Sequence, residues 1–307
     1  MPFRKNAKGQ NQYYYKPHKS AAKIIQKDWF KEHEYKQNIF SPEFFENIEK
    51  TLTPARLGYW AYAIDGDGWI YWDGVSKKGL EVGIRLTDRE PIQELADIYG
   101  TSISRKDFLN KKHKSSYGTK MTGKRAPHFL RLICPYMTEK RKKATQVINM
   151  FDPNYHPPKI SINFRKNPDL LEPHMGMIAG FFDTEGSVGI SIRKQKKMTK
   201  KFGKRVYASL NPWVEFTNTD TRPLRKIKKI LETWPFKFKS SLHVKRKGYF
   251  KKNGEECNPE YVLVISKRQH LLFMKMFAPW ILISRKRDYA DKFELKKRIY
   301  KICNEKK

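Results

Sequence analysis

The chain has 307 residues, 39% of them hydrophobic, with 16 Tyr and 19 Phe, enough apolar material for one large core or two ordinary ones. Its 64 Lys and Arg stand against 31 Asp and Glu, a formal charge of +33 that repels itself unless a polyanion is the working partner. No run approaches the roughly 18 apolar residues of a membrane span. Cys134, Cys257 and Cys303 are scattered and give neither a disulfide framework nor a zinc site, so nucleic acid is the expected partner, with an anionic membrane surface or plain surface charge as the alternatives.

Residues 1–27 are polar and basic with little apolar material, which predicts a tail rather than a packed element. They lack the apolar stretch of a secretory signal. The expectation is an intracellular protein, with organelle and host left open. Ser41-Pro42 then supplies an N-cap and a first-turn proline ahead of EFFENIEK, a short helix. Thr53-Pro54 repeats the device before RLGYWAYAI. Strand-like WIYWDG and LEVGIRLT follow, then a helix in REPIQELADIYG, a hairpin whose second arm is PHFLRLI, and a basic amphipathic helix, TEKRKKATQVINMF.

Five of the 17 prolines fall within residues 152–173, the density of a stiff linker. Beyond it the order of elements recurs. Pro173 opens a helix through IAGFF, followed by the strands GSVGISIR and ASLNPWVEFT, and then the helix RPLRKIKKIL. A hairpin turning at Asn253-Gly254 and a basic helix from about Arg287 complete the pattern. Thr87-Asp88 in the first half matches Thr219-Asp220 in the second, so the chain reads as a duplicated unit.

Each half also ends an apolar segment in acid-x-acid-Gly: WAYAIDGDG at 60–68 and IAGFFDTEG at 178–186. Gly68 and Gly186 can turn each chain from helix to strand, leaving Asp67 and Glu185 at helix C-termini. There the helix dipole disfavours a negative charge and asks for a compensating cation. Tyr62 with Gly66, and Gly180 with Thr184, are i,i+4 pairs. Their small members let the two helices pack side by side, Tyr62 facing Gly180. Two carboxylates brought to about 4 Å repel by roughly 4 kcal/mol at an effective dielectric of 20. A divalent cation between them reverses that sign, and hard oxygen ligands suit Mg²⁺.

The two motifs resemble those of the two-repeat, single-chain LAGLIDADG homing endonucleases, closely at 178–186 and more loosely at 60–68, where Tyr62 replaces a usual glycine. The resemblance implies an α+β fold. Two pseudo-symmetric αββαββα repeats would form a saddle of antiparallel sheets, with the motif helices packed at its centre. The implied divisions are an N-terminal extension at 1–52, repeat 1 at 53–151, a linker at 152–172 and repeat 2 at 173–307. It also implies a monomer with internal pseudo-dimer symmetry that hydrolyses both strands of a long, asymmetric double-stranded DNA target across the minor groove, with two or more Mg²⁺ ions shared by Asp67, Glu185 and the phosphates. Asp65 and Asp183 would be motif residues without being essential ligands.

By position, the resemblance adds Lys140 and Lys286 as assisting cations, and Asp88 and Asp220 as water-organising residues. Asp88 and Asp220 read equally as helix N-caps, and the lysines as two cations among many. Period-two alternation places Trp69, Tyr71 and Asp73 together, and likewise Ser187, Gly189, Ser191 and Arg193. Tyr71, Arg85, Ser187, Ser191, Arg193 and Thr217 are the expected DNA-binding set, Arg above all suiting guanine. The run 193–205, with eight cations among 13 residues, reads as a phosphate-tracking loop or a solvated charge run. An RNA maturase acting on its own intron RNA and a silent sequence-specific DNA-binding protein are the rival readings. The retained acids favour the nuclease.

Overall fold

The computed structural model describes residues 3–5, 11–13, 41–72, 79–108, 114–158, 160–199, 203–250 and 256–305. Most of the expected N-terminal tail, Asp73 and the Asn253-Gly254 turn lie outside these residues, as do the side chains of the basic run 193–205. By compactness the chain divides into two units. The first comprises Met1–Thr53, Gly68–Leu132 and Gln146–Tyr155, and the second Pro54–Asp67, Ile133–Thr145 and His156–Lys307.

In the first unit, strands β1 (Phe3–Lys5) and β2 (Asn11–Tyr13) form a short antiparallel ladder. Helix α1 (Pro42–Thr51) starts as expected: the Ser41 hydroxyl accepts from the Phe44 N–H at 3.2 Å, and Pro42 occupies the first turn. A four-stranded antiparallel sheet follows in the order β3 (Gly68–Tyr71), β4 (Glu81–Leu86), β6 (Ser116–Thr122), β5 (Ser104–Lys106). Helix α3 (Arg89–Tyr99) ends at Gly100, which takes the left-handed conformation (φ 57°) that glycine adopts without strain. Val82, Ile84, Ile92, Leu95 and Tyr99 are fully buried and form the core.

The second unit holds α2 (Pro54–Asp67) and α6 (Leu171–Glu185), both buried over most of their circumference. Its sheet has the order β7 (Gly186–Thr199), β8 (Gly203–Asn218), β12 (Glu260–Ile265), β9 (Ser240–Arg246). Helix α7 (Thr221–Glu232) covers the sheet with Leu224, Ile227, Ile230 and Leu231. A small ladder, β10 (Tyr249–Phe250) with β11 (Glu256–Cys257), interrupts the second hairpin. The chain closes with α8 (His270–Phe277), α9 (Ser284–Arg287) and α10 (Tyr289–Glu305). Phe182, Phe216, Phe273 and Phe277 form an aromatic cluster in this core. The proline-rich segment is anchored there through Phe164, buried edge-on against His174 at 5.0 Å.

The architecture is α+β, and the two sheets share one topology: two antiparallel hairpins with the last strand of each sheet inserted beside the second. PHFLRLI is not a strand. Arg125–Ile133 forms α4, and the second arm of that hairpin is β6. Ala126, Phe129, Leu130 and Ile133 are all fully buried, a 3-1-3 spacing that only a helix puts on one face, and Pro127 is at home in a first helical turn. The expected basic helix appears as α5 (Arg141–Asn149). Among the described residues no helix is long and apolar enough to cross a membrane.

Candidate active site at the ends of two packed helices

The site lies within the second unit and begins with the seam between α2 and α6. A Cβ on Gly58 would fall inside the carbonyl of Pro173, one on Gly176 inside that of Ala55, and one on Gly180 inside that of Tyr59. Nearer the acids, a Cβ on Gly66 would collide with the Thr184 hydroxyl. Backbones this close leave no room for any side chain. Sequence reasoning identified Gly180, Gly66 and Thr184 but missed Gly58 and Gly176, whose i,i+4 spacing with Tyr62 and Gly180 was the available signal.

Tyr62 does not face Gly180. Gly180 lies on the Tyr59 backbone, whereas Tyr62 packs edge-on against Phe181 at 5.6 Å and shares a hydrogen bond with the Thr138 hydroxyl at 2.9 Å. The ring is thus accommodated between Phe181 of α6 and Thr138. A second surprise is Lys226. Its ammonium donates to the Tyr136 carbonyl at 3.2 Å and lies 5.7 Å from the centre of the Tyr62 ring, and burial pulls it down to about 8.

Both motif helices end as the pattern implies, α2 at Asp67 and α6 at Glu185, with Gly68 and Gly186 opening strands. The turn at Gly186 uses ordinary extended backbone (φ −84°). Space makes glycine necessary there, since a Cβ would run into the side chain and carbonyl of Phe182. The unfavourable charge at each helix end is answered by lysine. The Lys140 ammonium donates to the carbonyls of Ile64, Asp65 and Gly66 at 2.5–3.1 Å. The Lys286 ammonium donates to those of Phe182, Asp183 and Gly186 at 2.5–2.8 Å. These are C-caps with a full positive charge at the negative end of the dipole.

Asp65 and Asp183 reach in the opposite direction. The Asp65 carboxylate accepts the backbone N–H groups of Thr138, Glu139 and Lys140, the segment that opens α5. The Asp183 carboxylate accepts those of Leu282 and Ile283, just before α9, and the Tyr59 hydroxyl at 2.7 Å. Burial raises both carboxyls and these donors counter it.

Asp67 and Glu185 are the acids left at the helix ends. Burial pushes Asp67 up while the ammoniums of Lys140 and Lys286 pull it back. Glu185 is pushed up to about 7, first by burial and then by the negative charges of Asp67 and Glu139, with both lysines opposing. The two acids therefore sit in one electrostatic environment. Glu139, missed by sequence reasoning, is a third acid acting on it, itself raised by burial. Among the described residues no group of three or more His, Cys, Asp or Glu is gathered for a metal.

The other expected residues lie elsewhere. Asp220 is the N-cap of α7, accepting the Arg222 N–H at 2.8 Å and pairing with its guanidinium, which lowers its carboxyl. Asp88 holds the N-cap position of α3 in the first unit without a side-chain capping bond, and accepts the Thr87 hydroxyl at 3.0 Å. Ser187, Ser191 and Thr217 share one face of the second sheet by register. There Ser187 donates to Glu215, and Lys245 reaches both Glu215 and Thr217. Arg193 continues the same parity on β7, its side chain being outside the described residues. In the first unit Tyr71 is exposed at the end of β3, and Arg85 on β4 donates to Ser104 and the Ser116 carbonyl.

Two glycine-seamed helices each deliver a terminal acid, and two four-stranded sheets repeat one topology, as in a two-repeat α+β chain. Residues 178–295 match the LAGLIDADG endonuclease family. Similar solved structures include the LAGLIDADG meganuclease I-AabMI bound to uncleaved DNA, at 14% identity and a TM-score of 0.49 over 80% of this chain and 91% of that one. The homing endonuclease I-SmaMI bound to cleaved DNA aligns at 16% identity and a TM-score of 0.38, over 78% and 87%. No curated protein matches the chain.

Proposed function

We propose that this protein is a site-specific double-strand DNA endonuclease that depends on a divalent metal and cuts a long asymmetric target. The observation that carries the reading is the pair Asp67 and Glu185, each the last residue of a motif helix, each raised by burial, and Glu185 raised further by the charge of Asp67. Two hard oxygen donors whose carboxyls stay raised by burial despite two nearby lysines fit a cation such as Mg²⁺. When bound, the metal supplies Lewis-acid polarisation of a phosphodiester and lowers the pKa of an attacking water. The chain's own part is to hold both carboxylates at the ends of one rigid helix pair and leave the remaining ligand positions to phosphate and water.

The same reading takes residues 53–151 and 173–307 as the two repeats of a monomer, each supplying one motif helix. It assigns duplex contact to Tyr71, Arg85, Ser187, Ser191, Arg193 and Thr217. The test is incubation with Mg²⁺ and a DNA library spanning the uninterrupted insertion site. Cutting is expected from the wild type and is lost in Asp67→Asn and in Glu185→Gln, with duplex affinity retained. Cutting that survives both changes removes these acids from the reaction. Duplex binding without cutting by the wild type leaves a silent binding protein.

A further inference from the structure

We infer that Lys140 and Lys286 are positioning residues that set Asp67 and Glu185 through the backbone, each in a two-way clasp with Asp65 or Asp183, and that neither grips a DNA phosphate. The catalytic part of this inference rests on the nuclease reading; the clasp itself does not.

The geometry is reciprocal and occurs twice. In the first clasp Asp65, two residues before the acid Asp67, caps the segment Thr138–Lys140, while Lys140 from that segment caps the carbonyls of Ile64, Asp65 and Gly66. In the second, Asp183, two residues before Glu185, takes the N–H groups of Leu282 and Ile283, while Lys286 takes the carbonyls of Phe182, Asp183 and Gly186. An ammonium has three N–H donors on a cone, and in both lysines three are directed at carbonyl oxygens. Donors so spent do not bridge to a phosphate. Five of the six fastened carbonyls belong to the last turns of the motif helices, one to three residues before the acid, and the sixth, that of Gly186, directly follows Glu185, so the clasp fixes where that acid's Cα sits. Lys286 is 5% exposed, an awkward place for a group that must meet substrate and a natural one for a cap.

Arginine distinguishes the two roles. Its planar fork serves a phosphate as well as lysine does but cannot converge on three carbonyls of one helix end. Lys140, half-buried, is the working variant site, since changes at Lys286 carry more risk to folding. Lys140→Met and Lys140→Arg are each expected to lower the metal-free melting temperature by about 2–8 °C. Pairing either with Asp65→Ala should add little, because the partners share one clasp, whereas Asp65→Ala with Lys286→Met should add in full. On the target duplex in Mg²⁺, both Lys140 variants are expected to lower kcat about a hundredfold through misplacement and to leave the duplex Kd, measured without metal, unchanged. Wild-type cleavage in Lys140→Arg, or unchanged melting with weakened duplex binding in Lys140→Met, overturns the inference. If the wild type cuts nothing, the nuclease reading fails and the metal-free melting cycle still decides the clasp.

Discussion

At Glu185 burial and the charges of Asp67 and Glu139 act in the same direction and lift the carboxyl to about 7. The folded chain then holds a proton on this group over a range in which the unfolded chain, with an ordinary glutamate, has released it. Stability from this source is fully present below the ordinary value near 4.5 and is lost as pH rises through about 7. Glu185→Gln removes that penalty. Without metal, urea unfolding at pH 8 should show the variant more stable than wild type by about 1–3 kcal/mol, and at pH 4 little different. An equal effect at both pH values would show that the carboxyl is not titrating in this window. Added Mg²⁺ at pH 8 should stabilise the wild type and leave the variant largely unmoved.

The α2–α6 pair shows what one side chain can do to an element. Gly180 abuts the Tyr59 backbone with no space for a Cβ, so Gly180→Leu must part the helices and is expected to cost more than about 3 kcal/mol. Tyr62→Phe loses one hydrogen bond, to Thr138, and should cost about 1 kcal/mol; equal tolerance of both in denaturant titrations would contradict the seam. The acid-x-acid-Gly ends, the capped starts of α1 and α7 and most strands were legible because each is written in local residue chemistry. Helix α4 was not, because PHFLRLI is short and apolar enough to read as a strand. Its buried residues Ala126, Phe129, Leu130 and Ile133 match in spacing His270, Phe273, Met274 and Phe277 of α8, which was also missed. Comparing the two halves at that point would have exposed both helices. The roles of Lys140 and Lys286 were not legible at all, since a helix end accepts a lysine from any distance along the chain, here 74 to 76 residues for Lys140.

For the whole molecule the net charge of +33 predicts how association responds to salt. Each phosphate neutralised by a lysine or arginine releases condensed counterions, so log K falls against log salt with a slope of about −0.9 per contact. Lys140 and Lys286 do not enter that count, because their ammoniums cap helix ends. Other cations are internally committed too: Lys120 to Glu81, Arg131 to Asp152 and Lys245 to Glu215. A duplex interface engaging six to ten phosphates should lose roughly 10³–10⁵ in affinity between 50 and 200 mM salt. The measurement is fluorescence anisotropy of a labelled duplex with the Asp67→Asn variant, so that cutting does not intrude. A slope shallower than about −2 would mean two or fewer phosphate contacts, and the positive charge would then be a solvated surface. A steep slope shared by target and unrelated duplexes would place the backbone term as proposed. It would leave sequence choice to the sheet faces that carry Tyr71, Arg85, Ser187, Ser191 and Thr217, where single substitutions should change the affinity ratio between duplexes and leave the slope nearly unaltered.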